Sequence, residues 1–173
     1  MTIHSEHPFV PSESDRDPAR RFRGRLGGTV SLWTAGSDDT RAGLTVSSLM
    51  VAAGEPAHLV ALLDPDSSFA ETLCHTQSAV VQLLESEHER LAEAFAGQFP
   101  APGGPFRLAE WIQTPWGPRL STAPTWVGVR LSDGPAVEVG WARLVDCVVE
   151  QIQIGEETAP LVHRRGRYGK PSG

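Results

Sequence analysis

Cysteine is nearly missing from this chain: Cys74 and Cys147 are the two in 173 residues. They form no Cys-x-x-Cys and no zinc spacing, which excludes a zinc-ribbon domain and a disulfide-stapled secreted scaffold. Buried free thiols in a reducing compartment are expected. Long apolar runs are also lacking. None approaches the roughly 20 residues needed to span a bilayer, and the polar residues 1–21 contain no apolar core of a signal peptide. A soluble, cytoplasmic protein with no membrane partner follows as an expectation. Positive charge is in deficit, with a net charge of −6, so nucleic acid and anionic membrane are not expected partners. There is no Gly-x-Gly-x-x-Gly turn and no alternation of strands with crossover helices, which argues against a doubly wound dinucleotide fold. His, Asp and Cys do not cluster as metal ligands would, so no metal is assigned. No Ser-His-Asp or Cys-His arrangement carries a recognisable signature either.

What is present is an ordinary globular composition, 40% apolar and 21% charged, in a length suited to one domain. Residues 1–20 are rich in Pro, Ser, Asp, Glu and Arg and read as a flexible arm; residues 21–173 read as a single domain. Strands are expected at Gly28–Trp33, Gly43–Met50, His58–Leu63, Ser78–Leu84, Thr125–Leu131 and Val137–Val149, the last extending as far as Ile154. The continuous apolar run His58–Leu63 implies burial on both faces. Ser68 with Glu71, and Ser86 with Glu89, have capping-box spacing and start two short helices. The second helix places Leu91 and Phe95 on one face and ends at Gly97. Between Gln98 and Pro124 lies a Pro-, Gly- and Trp-rich stretch with a helical turn expected around Phe106–Ile112. Strands outnumber helices, so a mainly β fold is expected: a closed or nearly closed antiparallel barrel with helical inserts.

The most informative stretch is Ala42-Gly43-Leu44-Thr45-Val46-Ser47-Ser48-Leu49. Alternation turns Leu44 and Val46 to a core and Thr45 and Ser47 away from it; Ser48 breaks the pattern, as a strand leaving its sheet would. The hydroxyls read either as the wet face of a half-exposed strand or as a neutral phosphate cradle. Ser67-Ser68, one strand later, reads either as a plain helix cap or as an anion site at a helix N-terminus. The run Arg164-Arg165-Gly166-Arg167 is either a solvated tail or an anion contact for a phosphorylated cosubstrate. Trp111, Trp116, Trp126 and Trp141 suit core, interface or ring-stacking roles.

These pieces occur in an order that resembles the flavin reductase-like, FMN-binding split-barrel proteins. The series runs from Gly28-Thr29-Val30-Ser31 through Ala42–Leu49, Glu55-Pro56, Asp66-Ser67-Ser68 and Leu91–Gly97 to Pro160–Gly169. The resemblance implies an antiparallel split β-barrel. It implies FMN, or alternatively FAD, held by Thr45, Val46, Ser47 and Ser48, with Leu62, Leu63, Asp64, Ser67 and Ser68 bordering ring and phosphate and Phe95 and Gly97 nearby. His163, Arg167 and Tyr168 would face the nicotinamide of NADH or NADPH. A homodimer is implied, as is a flavin-dependent monooxygenase receiving reduced flavin.

The implied activity is NAD(P)H:flavin oxidoreduction, hydride passing from nicotinamide to flavin. That chemistry needs orientation rather than a side-chain acid or base, so no catalytic residue is assigned. The family commonly carries Gly-Asp-His near the start of a late strand. Here the corresponding region reads Ser132-Asp133-Gly134-Pro135-Ala136-Val137-Glu138, without histidine. The alternative is therefore a flavin-binding split barrel without NAD(P)H turnover; a third reading is a barrel that holds no flavin.

Overall fold

The computed structural model describes residues 17–170. Asp17 caps helix α1 (Pro18–Leu26) by accepting from the Ala19 N–H at 3.1 Å, with proline at the first helical position. The helix crosses the boundary expected near residue 20; residues 1–16 of the expected arm lie outside the described residues. Thirteen strands follow: β1 (Gly28–Thr29), β2 (Ser31–Ala35), β3 (Ala42–Val46), β4 (Leu49–Ala52), β5 (His58–Leu63), β6 (Ser78–Leu83), β7 (Trp111–Thr114), β8 (Gly117–Leu120), β9 (Trp126–Leu131), β10 (Val137–Val139), β11 (Ala142–Gln153), β12 (Val162–Arg164) and β13 (Arg167–Gly169). Helix α2 (Ser68–Thr76) sits between β5 and β6, and α3 (Glu89–Phe95) follows β6.

The main sheet is antiparallel, in the order β3-β2-β6-β9-β11-β5-β4, with β10 folded back on β11. Its two edges, β3 and β4, are consecutive in the chain and separated by Ser47-Ser48 alone. Strands lie about 4.8 Å apart, so two residues cannot bridge a flat sheet of this width. The sheet must curl until its edges meet. The seam is pinned at Ser48, whose carbonyl accepts from the Leu62 N–H at 3.2 Å and whose hydroxyl donates to the Leu62 carbonyl at 2.8 Å. This is the split barrel the sequence led us to expect.

Inside the curl, Trp33, Val46, Leu59, Leu63, Val129 and Cys147 form one core, closed at its end by Phe69 and Leu73 of α2. Outside it, Val30, Leu32, Leu84, Leu120 and Leu161 pack with Leu91 and Phe95 of α3. Strand β2 lies between the two cores and is buried throughout. Its polar residues are satisfied: Ser31 donates to the Val46 carbonyl, Thr34 donates to the Pro118 carbonyl, and Gln82 joins Thr34 to the Leu120 N–H. Those bonds fasten the β7–β8 hairpin to the barrel.

Several local expectations change. The strand expected over Gly43–Met50 is two strands on opposite edges of the sheet. Gly28–Trp33 is likewise divided at Val30, because β1 pairs with β12 whereas β2 pairs with β3 and β6. The strand expected over Val137–Val149 is a hairpin that turns at Gly140-Trp141, and its second strand runs on to Gln153. Strand β5 buries Leu59, Ala61 and Leu63 on one face only; Leu62, on the other, is 40% exposed. The cap of α2 is Ser67 rather than Ser68, and the capping box before α3 joins Glu85 to His88 rather than Ser86 to Glu89. Around Phe106–Ile112 the chain makes a 3₁₀ turn over Pro105–Leu108 and then enters β7. Cys147 is buried, its thiol pushed up to about 12 by burial and by the Asp146 charge, but Cys74 is exposed; both thiols are free.

Candidate functional site

The seam between the sheet edges is where the hydroxyl motif sits. Thr45 and Val46 end β3. Val46 is buried in the barrel core, as alternation predicts, and Thr45 points the other way and donates its hydroxyl to the Ala92 carbonyl of α3 at 2.7 Å. Thr45 thus ties the seam to a helix. Ser47 and Ser48 are exposed. No hydrogen bond runs from either N–H, or from the Ser47 hydroxyl, to another described residue. Neighbouring backbone donors left free beside a hydroxyl form an anion-binding concavity, so this donor set fits a phosphate.

Ser47, Ser48 and Leu62 line a cavity of about 230 Å³ with Met50, Val60 and Leu144. Leu62 thus lies in the same cavity as the two serines. Leu63 does not: it faces the barrel core, 1% exposed. Asp64 accepts from the Asp66 N–H and, through its carbonyl, from the Ser67 hydroxyl. Ser67 in turn accepts from the Ala70 N–H at 3.2 Å, so its side chain is taken up as a helix cap. Ser68 is exposed at the first turn of α2; neither serine lines the cavity.

On the other side of the seam, Phe95 is buried edge-on against Phe106 and Trp111, and a β-carbon on Gly43 would come within 2.6 Å of its ring. Phe95 supports β3 from behind and is not exposed to a ligand. Gly97 closes α3 with φ +71°, as a C-terminal glycine should. His163 and Tyr168 face each other across the β12–β13 hairpin, ring centroids 5.1 Å apart, and Arg167 is exposed beside the turn. His163 pairs with Gly28 of β1, and a β-carbon on Gly28 would lie 3.0 Å from the Ser47 carbonyl. That close approach sets the hairpin one strand away from the seam. Burial, with the Arg23 charge, lowers the His163 pKa below its ordinary value and so favours the neutral ring. Burial, with the carboxylates of Glu93 and Glu89, raises that of Tyr168.

Two features were not anticipated. The long late strand begins at Ala142, so the residues at its start are Gly140 and Trp141 rather than Ser132–Glu138; neither place holds a histidine. Trp141 is 99% exposed at the hairpin tip. A second cavity, about 260 Å³, opens under the loop at Asp133–Ala136 beside Leu73 and Cys74, and there the Ser132 hydroxyl and Arg143 Nε are buried without partners. Sequence periodicity carries no signal for a cavity made by a loop. Among the described residues no group of three His, Cys, Asp or Glu side chains could hold a metal, and no helix is long and apolar enough to cross a membrane.

Comparison with known proteins places this geometry. The family model described as a flavin reductase like domain matches residues 23–172. The FMN reductase (NADH) RutF of Serratia proteamaculans is 30% identical over 168 residues, covering 97% of this chain and 95% of the relative. Among solved structures, the NADH:FAD oxidoreductase SgcE6 of Streptomyces globisporus, in complex with NAD and FAD fragments, superposes with a TM-score of 0.79 at 18% identity, covering 94% of this chain and 96% of that one. The styrene monooxygenase flavin reductase of Pseudomonas putida S12 does so with a TM-score of 0.75 at 18% identity, covering 88% and 96%.

Proposed function

The chain belongs to the family of flavin reductase-like domains, and from that premise we propose that it is an NAD(P)H:flavin oxidoreductase acting on FMN, with NADH as donor. The RutF name supports FMN and NADH; FAD and NADPH are the alternatives. The observation that carries the site is the Ser47-Ser48 seam, where unengaged donors meet an apolar cavity. Bound flavin would accept hydride from the nicotinamide and pass its electrons on.

Everything else falls to this chain's residues. The Ser47 and Ser48 N–H groups and the Ser47 hydroxyl hold the phosphate. Thr45 and Ser48 fix the seam to α3 and β5. Leu62, Met50 and Leu144 supply an apolar wall that keeps water from the ring. Asp64, Ser67 and Ser68 set the shape of the chain leaving β5, and Val46, Leu63, Phe95 and Gly97 support the site from behind. His163, Arg167 and Tyr168 border the nicotinamide, the neutral imidazole adding no charge there. No side chain acts as acid or base.

The working unit is a homodimer. Complete ligand pockets enclose roughly 300–1,000 Å³, and one protomer offers about 230 Å³ on an open face. Beside that cavity Met50 is 70% exposed, Val137 45% and Val139 47%, and registry puts them on one face of β4, β5, β11 and β10 with Val60, Leu62 and Leu144. A second copy would cover this patch and complete the wall. The partner would be a flavin-dependent oxygenase in the cytoplasm, a role that the name of the styrene monooxygenase flavin reductase supports.

The absence of histidine at the start of β11 favours a second reading, a barrel that holds flavin without NAD(P)H turnover. Titration of FMN by fluorescence tests the site that both readings share: Ser47→Ala is expected to weaken FMN binding about tenfold or more, and unchanged affinity would refute the assignment.

A further inference from the structure

Four arginines, Arg20, Arg21, Arg23 and Arg25, lie on α1, and Arg164, Arg165 and Arg167 lie on the β12–β13 hairpin that α1 covers. Seven of the chain's 15 lysines and arginines thus gather in two short elements of a protein whose net charge is −6. None of the seven makes an ion pair with another described residue. The two elements are locked together: the Arg165 N–H donates to the Gly24 carbonyl at 2.7 Å, and the Arg164 side chain packs over Gly27 and reaches the Arg25 carbonyl.

The hairpin turn adds an independent observation. Arg165 has φ +54° and Gly166 φ +75°. A two-residue turn with both residues left-handed strongly favours Asn-Gly, Asp-Gly or Gly-Gly. Arginine is disfavoured at the first place, and its one structural bond there, from the backbone N–H, is available to any residue. Arg165 sits in the turn of the hairpin that pairs His163 with Tyr168. Glu89 and Glu93 of α3 act on Tyr168 as negative charges, whereas the arginines of α1 and of the turn supply the positive charge.

We propose that the cationic surface formed by α1 and the β12–β13 hairpin holds the phosphates of the adenylyl half of the nicotinamide dinucleotide, the adenosine 5′-phosphate and, in NADPH, the 2′-phosphate. The inference rests on the reductase reading for the nicotinamide and extends it to the remainder of the cosubstrate. FMN offers a single phosphate, which the Ser47-Ser48 seam accounts for. A dinucleotide carries at least two, separated from its ring by a ribose, which suits a surface that begins beside His163 and Tyr168.

Direct titration of the full chain with NADH, NADPH and reduced nicotinamide mononucleotide tests this without requiring turnover. The wild type is expected to bind NADH and NADPH each more tightly than the mononucleotide. In Arg21→Gln/Arg165→Asn, NADH binding falls about tenfold and NADPH binding further, while binding of the mononucleotide and FMN is unchanged. Arg165→Asn alone relieves the left-handed arginine and raises the melting temperature while weakening the dinucleotide, a pairing that a merely structural residue would not give. Equal losses for all three nucleotides, or no loss for the dinucleotides, overturns the proposal. So does a fall in heparin affinity with dinucleotide binding intact, which would assign the surface to an acidic macromolecule. Dinucleotide binding through this surface without flavin reduction would sink the reductase reading alone.

Discussion

At the scale of single residues, two neighbouring hydroxyls of one motif carry different loads. Ser47 is exposed and makes no hydrogen bond to a described residue, whereas Thr45 anchors α3 through the Ala92 carbonyl. Ser47→Ala should therefore leave thermal stability within about 0.5 kcal/mol while weakening FMN. Thr45→Val should cost about 1 kcal/mol of stability, read in a denaturant titration. A similar stability loss in both would contradict the division. His88 is a second residue whose state is fixed by its surroundings. Its Nδ1 accepts from the Glu85 N–H at 3.0 Å and its Nε2 lies 2.9 Å from the Thr122 hydroxyl. Burial lowers its pKa, opposed by Glu87 and Glu85. Because the folded values of His88 and His163 lie below the ordinary value of about 6.5, the unfolded chain takes up protons that the folded chain refuses. Stability is full above that pH and declines as pH falls toward the folded values. His88→Asn, which keeps an acceptor, is expected to be less stable at pH 7 and to show a shallower acid decline; an unchanged slope in pH-dependent melting would count against this origin.

At the scale of elements, the β7–β8 hairpin depends on one buried amide. Gln82 Nε2 donates to Thr34 and its Oε1 accepts from the Leu120 N–H at 2.6 Å. Gln82→Leu leaves that buried N–H without a partner and should cost about 1–3 kcal/mol, with hydrogen exchange speeding at Leu120; slow exchange there would refute it. How far elements were legible follows from the range of the interaction that sets them. Leu91 and Phe95 share a helical face by local spacing, and both are buried. The seam was half legible. Ser48 was expected to break its strand, but that β4 joins the opposite edge depends on pairing with β5, which lies beyond any local pattern. Hairpins β7–β8 and β12–β13 were not foreseen because their short strands, paired across tight turns, lack an alternating run. For Leu62 the apolar run implied burial on both faces, but the structure covers only one face of β5 and leaves Leu62 on the other, exposed. Leu63, Ser67 and Phe95 have the residue types of a site but are committed to core and cap, which only three-dimensional contacts reveal.

At the scale of the whole molecule, one covalent fact organises the rest: two residues join the opposite edges of a seven-strand path. The curl this enforces brings Ser47 and Ser48 beside β5 and leaves an apolar face open next to them. Met50→Lys on that face, where we propose that two copies pair, should shift sedimentation from dimer to monomer and weaken FMN binding with it; a wild type that sediments as a monomer, or a variant dimer with full FMN affinity, would refute that pairing. As proposed, this seam serves a flavin reductase despite the absence of histidine at the start of β11. Anaerobic stopped-flow mixing of the FMN-loaded protein with NADH tests it most directly. Rapid loss of the oxidised flavin absorbance is expected, slowed in Ser47→Ala at limiting FMN; flavin that stays oxidised with both NADH and NADPH would rule out a reductase.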